Sequence, residues 1–139
     1  MFDEIKPVDN WGDFLSMGVI NACDREPGRC YTVRVKAKWG LNAGAQDILL
    51  CSKDFEEYEI KLKNLLQGGE EECNIRDLDS KANLTIRKRS RGNMEILGSI
   101  IRDNPGYQSE KESVMHFKFE IKPEGIVDIL NLLSYLRSQ

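Results

Sequence analysis

The side chains that most often perform catalysis are sparse in this sequence. His116 is the chain's only histidine, so a nucleophile that relied on a histidine base would have to use it. It falls on the polar face of a predicted strand, which favours an exposed strand residue over a catalytic base. The carboxylates are numerous, but none forms a spaced pair in a plainly apolar setting, as general acid–base catalysis requires. We therefore expect that the protein is not an enzyme.

Four cysteines are the other candidates for chemistry: Cys23, Cys30, Cys51 and Cys73. They form no Cys-x-x-Cys pair, whereas zinc sites favour short paired spacings with Cys or His partners. The acidic start of the chain is unlike a secretory signal, so we expect a reducing compartment and free thiols. Cys51 precedes a predicted helix, where a thiol pKa can fall, but a small buried apolar side chain is the favoured interpretation. No metal and no cofactor are expected.

Charge is distributed unevenly along the chain. The net charge is −3, but residues 41–80 contain ten acids and four bases. Many of these acids lie on and just after the first predicted helix, where they form an ordinary solvated face or a surface that steers a basic partner. The second interpretation assigns partner binding to Asp54, Glu56, Glu57, Glu59, Glu70, Glu71 and Glu72.

Two classes of partner are not expected from the sequence. A basic cluster, Lys81 with Arg87, Lys88, Arg89 and Arg91, lies on a strand and turn. It lacks the interleaved aromatics or the recognition helix that nucleic-acid binding needs, so no nucleic acid is predicted. No apolar run approaches the roughly 18 residues of a membrane span, so no membrane is predicted either. We expect a single domain over residues 1–139, in the cytoplasm.

Alternation of apolar and polar residues predicts most of the strands. Tyr31–Trp39 alternates throughout, with Trp39 on the buried face, and Gln46–Cys51 fits its hairpin partner. Trp11–Ile20 is interpreted as an edge strand. Four further strands are predicted near residues 73–78, 84–87, 94–101 and 115–121.

Two amphipathic helices complete the prediction, over about residues 54–67 and 123–137. The first has one apolar stripe and a capping-box start at Asp54 and Glu57, with Ser52 as the rival cap; Pro123 suits the start of the second. The loops between strands are too short for parallel crossovers. The predicted fold is therefore α+β, a mostly antiparallel sheet of six to seven strands with both helices packed on one face. Leu97 and Ile101, on the outer side of their strand, could mark a homodimer surface or a second covered face of the sheet.

The order of these motifs resembles a known family. The residues that carry the resemblance are Asp54, Phe55, Tyr58, Leu62, Leu65 and Gly68, then Asn83 to Ile86, then Gly92, Met94, Ile96, Gly98 and Ile100, then Phe117, Phe119 and Ile121, and the leucine helix Ile126 to Leu136. Together they resemble the small bacterial immunity proteins of the WapI type over about residues 31–137. The resemblance implies a cytoplasmic, non-catalytic protein that binds and blocks a polymorphic, contact-dependent toxin domain, often a nuclease.

Three other functions remain open at this point. A small-ligand-binding or accessory interaction domain is the main alternative, and a metabolite bound to the purified protein would favour it. Catalysis by carboxylates alone would need a constellation that sequence cannot reveal. A structural or oligomerisation role is the third.

Overall fold

The protein was analysed as a computed structural model that describes residues 4–25, 28–69, 71–80, 82–89, 92–101 and 114–139, with Arg25 and Ile101 described by their backbone alone. The described residues form eight strands and two α-helices. In chain order they are β1 (Ile5–Asn10), β2 (Asp13–Arg25), β3 (Gly28–Trp39), β4 (Asn42–Cys51), a 3₁₀ turn (Ser52–Asp54), α1 (Phe55–Leu66), β5 (Cys73–Arg76), β6 (Asn83–Lys88), β7 (Met94–Ile101), β8 (Val114–Ile121) and α2 (Pro123–Arg137).

The strands form two antiparallel sheets rather than one. The first has the order β1-β2-β3-β4 and the second the order β5-β6-β7-β8. The α+β class and the antiparallel pairing are confirmed, but the single sheet of six to seven strands is wrong. Alternation reveals which side of a strand faces the core and not which strand lies beside it, so the division between β4 and β5 could not be seen in the sequence.

The edge of β4 explains why the sheets separate. The Leu49 amide donates to Asp77 Oδ1 at 2.9 Å, and the Leu78 amide donates to the Leu49 carbonyl oxygen at 2.9 Å. The loop after β5 therefore satisfies backbone groups on β4 that a fifth strand would otherwise use.

One predicted strand differs from the structure, and one strand of the structure was not predicted. The segment Trp11–Ile20 is not an edge strand, because β2 begins at Asp13 and pairs with both β1 and β3. The true edge strand, β1, contains Pro7 and a shift of register between Ile5 and Val8. Proline and a bulge both suit an edge strand, and both hide the period-two pattern that identifies one.

The helices have the predicted positions but do not share one face of one sheet. Helix α1 packs against β5 and β6, whereas α2 packs against β1, and the two helices also contact each other. The Tyr31 hydroxyl donates to the Leu136 carbonyl oxygen at 2.8 Å and ties α2 to β3. Asp54 is the N-cap of α1, but its side chain makes no capping hydrogen bond, so the predicted capping box is wrong.

The core lies between the inner faces of the two sheets and the apolar stripes of the helices. Its largest fully buried side chains are Phe55, Phe117, Leu15, Met17, Leu50, Leu62, Ile75, Leu84, Ile86, Ile96, Ile100 and Met115. Neither helix of the described residues combines the length with the hydropathy that crossing a bilayer requires.

Candidate protein-binding surfaces

The acids predicted to bind a partner divide into exposed and buried groups. Glu56, Glu57, Glu71 and Glu72 are exposed and Asp54 is half-buried, whereas Glu70 lies outside the described residues. Glu59 is buried, accepts a hydrogen bond from the Ser134 hydroxyl and pairs with Arg137 at 2.9 Å. It joins α1 to α2 and has no surface to offer a partner.

Three of the exposed acids lie along one side of α1 and the segment that follows it. Glu57 pairs with Lys61 at 3.0 Å, and the hydrogen bond from Lys61 lowers the pKa of Glu57. Asn64 lies one turn after Lys61 on the same side of α1 and donates to Glu71 Oε2 at 3.0 Å. Asn74 on β5 donates to Glu72 Oε1 at 3.5 Å. The helix and the segment after it therefore present these acids together.

A groove between α1 and β5 borders this acidic stripe. The groove encloses about 210 Å³ and is lined by Lys53, Asp54, Glu57, Tyr58, Lys61, Asn74, Arg76 and Leu78. The Arg76 amide donates to the Tyr58 hydroxyl oxygen at 3.2 Å, and burial raises the pKa of that tyrosine. Three cations and two carboxylates line the groove, so its charge is mixed in sign.

The predicted basic hairpin is built around a buried carboxylate. Glu95 lies on the outer face of the second sheet and pairs with Arg87 at 2.7 Å, Arg89 at 3.3 Å and Lys118 at 3.7 Å. Lys81 and Arg91 of the same predicted cluster lie outside the described residues. Glu95 neutralises part of the positive charge that the sequence shows there.

A shallow apolar depression lies beside the end of α2. Its lining includes Val19, Ala22, Tyr31, Tyr135 and Gln139, and it encloses about 270 Å³. Pockets for organic ligands usually hold about 300–1,000 Å³ and surround most of the ligand. The depression is at the lower limit for that use, and ligand binding stays a prediction.

Sequence reasoning missed a cluster of exposed apolar residues at the hairpin ends of the first sheet. Trp11 and Leu41 are each 105% exposed, and Trp39 is 42% exposed rather than buried as predicted. We call these three residues the hairpin-tip cluster. The signal in the sequence was the glycine after each tryptophan, Gly12 and Gly40, because glycine is among the strongest markers of a turn.

Two tight turns create this cluster. Trp11 and Gly12 connect β1 to β2, and both have positive φ angles, 49° and 98°. Gly40 and Leu41 connect β3 to β4, with a positive φ of 63° at Gly40. These are the angles of type I′ and type II′ hairpin turns. The Gly40 amide donates to Asp13 Oδ1 at 3.1 Å, which holds the two turns side by side.

Comparison with known proteins bears on the fold alone. No family model matches the chain, and no curated protein matches it. Among solved structures, a chain from the crystal structures of Trypanosoma brucei MRP1/MRP2 is similar, with a TM-score of 0.50 and 10% identity over 96% of this chain and 81% of that chain. At this identity the match shows that the two chains share an overall fold.

Proposed function

We propose that this chain is a non-catalytic immunity protein that binds a cognate polymorphic or contact-dependent toxin domain, of the nuclease class, and blocks it. The observation that carries the proposal is the set of exposed carboxylates on α1 and just after it, Glu56, Glu57, Glu71 and Glu72. The resemblance to WapI-type immunity proteins over residues 31–137 supports the same function.

The mechanism would be occlusion of the toxin's active site. A nuclease binds a polyanion, so its cleft has to be cationic. An acidic stripe on a folded protein complements such a cleft, accelerates the encounter and discriminates against partners of the wrong charge. Because Lys53 and Lys61 lie beside Glu57, the stripe would also set the register of the partner and not only attract it.

The test is direct binding to the toxin domain encoded by the neighbouring reading frame, carrying an inactivating substitution. We expect nanomolar-class affinity and an association rate that falls as salt is raised. The triple variant Glu57→Lys, Glu71→Lys and Glu72→Lys should lower the association rate at low salt by about tenfold or more.

A charge-matched control separates local from overall electrostatics. Asp24, Glu120 and Glu124 are exposed carboxylates away from α1, and their triple reversal to lysine changes the net charge by the same amount. This control should change the rate much less than the α1 triple variant. Equal effects of the two triples would contradict the acidic stripe as the binding surface, and no binding by the wild-type chain would contradict the immunity function.

A further inference from the structure

The hairpin-tip cluster is an apolar surface that the fold holds out in solvent. Trp11 and Leu41 are the most exposed large apolar side chains of the described residues. Single exposed apolar residues need no explanation, but Trp11 and Leu41 stand at the tips of two turns that a hydrogen bond joins, and Trp39 adjoins the second tip. Because these residues lie at the ends of hairpins, the surface that they form is convex.

Trp11 has an unfavourable backbone conformation as well as an unfavourable exposure. Its φ of 49° lies in the left-handed region, which asparagine or glycine adopts readily in a type I′ turn and a bulky residue seldom does. Its fully exposed ring makes no packing contact that would offset this strain. A strained residue that the fold itself does not require is typical of a functional site.

The base of the cluster is rigid, which suits binding. Trp39 packs against Phe119 with ring centroids 6.2 Å apart, and the hydrogen bond between Gly40 and Asp13 links the two turns. The backbone of the two tips and the Trp39 ring are therefore held in place before binding, and only the side chains of Trp11 and Leu41 have to be ordered in the pocket.

Charge near the tips limits what the cluster can bind. Asp9 and Asp13 flank Trp11 at two residues on each side, and Lys38 precedes the second tip. An anionic bilayer would repel these carboxylates, and a second copy would place convex tip against convex tip and acid against acid. The complementary surface is a concave apolar pocket with a cationic rim, as in an enzyme cleft.

We propose that the hairpin-tip cluster anchors this chain in an apolar, cation-rimmed pocket of a folded protein partner. The inference rests on the proposed function, and the partner is its toxin. The tips stand at the start of β4 and the α1–β5 groove lies near its end, and a ten-residue strand is about 33 Å long. The two surfaces are therefore far enough apart to be tested separately.

The first experiment measures affinity for the inactivated toxin domain from the neighbouring reading frame. Trp11→Asn and Leu41→Ser should each weaken binding by about thirtyfold or more, as central anchors do. Trp11→Asn should leave the melting temperature unchanged or raise it, because asparagine relieves the strain of the turn. If Trp11→Asn binds more weakly while its melting temperature is not lowered, unfolding cannot explain the loss of affinity. Val127→Ala, an exposed apolar residue of α2, is the control and should bind like the wild type.

The second experiment observes the anchor directly. Trp11 and Trp39 are the chain's only tryptophans, so labelling with 5-fluorotryptophan gives two ¹⁹F resonances, which Trp39→Phe assigns. The Trp11 resonance should shift on addition of the toxin domain and lose its sensitivity to solvent. Phosphatidylcholine–phosphatidylglycerol vesicles, or a higher concentration of the labelled chain alone, should leave it unchanged.

The outcomes distinguish this inference from the proposed function. If a complex forms but the Trp11 resonance and the affinity of Trp11→Asn are unchanged, the anchor is wrong and the immunity function stands. If vesicles or self-association shift the resonance, the occupant is a bilayer or a second copy, and the inference is overturned. If the wild-type chain forms no complex, both proposals fail.

Discussion

At the scale of single residues, Glu95 is a buried carboxylate that three cations surround. It is 3% exposed, although it lies on the outer face of its sheet, because Arg87, Arg89 and Lys118 cover it. Burial opposes its negative charge, but the hydrogen bond from Arg87 and the charges of the three cations outweigh burial and lower its pKa. The Glu95 carboxylate therefore offsets the repulsion among these three cations.

Replacing Glu95 by glutamine should lower the free energy of unfolding at pH 7 by about 1–3 kcal/mol, the usual range for a hydrogen-bonded charged group. Since the folded pKa is below the ordinary value, the contribution is complete above about pH 5 and is lost as pH falls through the folded pKa. The difference in the free energy of unfolding between Glu95→Gln and the wild type should therefore shrink below about pH 4. Urea denaturation of both proteins at a series of pH values measures this difference.

The control for this prediction lies directly across the sheet. Glu120 pairs with Glu95 in register but is exposed, so Glu120→Gln should change stability by less than about 0.5 kcal/mol at either pH. A constant difference between Glu95→Gln and the wild type from pH 7 to pH 3 would contradict the electrostatic origin of the effect.

The thiols should differ sharply in reactivity. All four cysteines are thiols and not disulfides; Cys23 is exposed, whereas Cys30, Cys51 and Cys73 are buried. Burial raises the pKa of Cys73 to about 12, so this thiol stays protonated near neutral pH. We expect a thiol reagent to modify one cysteine in the native chain and four in denaturant, as counted by mass spectrometry. Rapid native labelling of two or more would contradict this arrangement.

At the scale of elements, the contact between α2 and β1 depends on a glycine. A Cβ atom at Gly125 would lie 2.1 Å from the Pro7 carbonyl oxygen and 2.9 Å from Ile121 Cγ1. Helix α2 can approach the edge strand this closely only because position 125 has no side chain. The short contact also explains how a strand weakened by Pro7 is retained in the fold.

Gly125→Ala should therefore destabilise the protein, whereas the same change in a solvent-exposed helix adds about 1 kcal/mol of stability. We expect a loss of about 1–3 kcal/mol, the cost of overpacking, with faster amide hydrogen exchange in β1. Glu124→Ala, an exposed neighbour in the same turn, should be close to neutral. A stabilised Gly125→Ala variant would show that β1 can move away at little cost.

At the scale of the whole molecule, Asp77 joins the two sheets. It is buried after β5, and its Oδ1 accepts hydrogen bonds from the Leu49 amide of β4 and from the Asp79 amide at 3.0 Å. Asp77 is one of the ten acids that the sequence places in residues 41–80. In the structure this carboxylate satisfies a backbone donor at the edge of the other sheet.

Asp77→Ala should lower the free energy of unfolding by about 1–3 kcal/mol, because the Leu49 amide loses its acceptor. Hydrogen exchange at Leu49 should accelerate more than exchange in the middle of either sheet. Asp79→Ala removes an exposed carboxylate two residues away and should be nearly neutral. Unchanged exchange at Leu49 in Asp77→Ala would mean that water replaces the carboxylate there without cost.

The sequence by itself determined both helices and most of the strands, with the side of each that is buried, but it did not reveal β1. The limits of α2 agree with the prediction, and those of α1 differ by one residue at each end, since apolar spacing, Pro123 and the glycines after α1 act over a few residues. The alternation in β3 and β8 likewise identified their buried faces. Trp39 is the exception. It was predicted to be buried, but it is the last residue of β3, beside a turn, and it is exposed.

Only the tertiary structure decided how these elements are grouped and which polar residues reach solvent. Glu56 and Glu59 are both acids of α1, but one is exposed and the other is bonded to Ser134 and Arg137, more than 70 positions along the chain. Trp11 and Leu41 lie at adjacent turns because their two hairpins are at the same end of a four-stranded sheet. These arrangements depend on contacts between distant segments, and the spacing of apolar residues within one segment does not reveal such contacts.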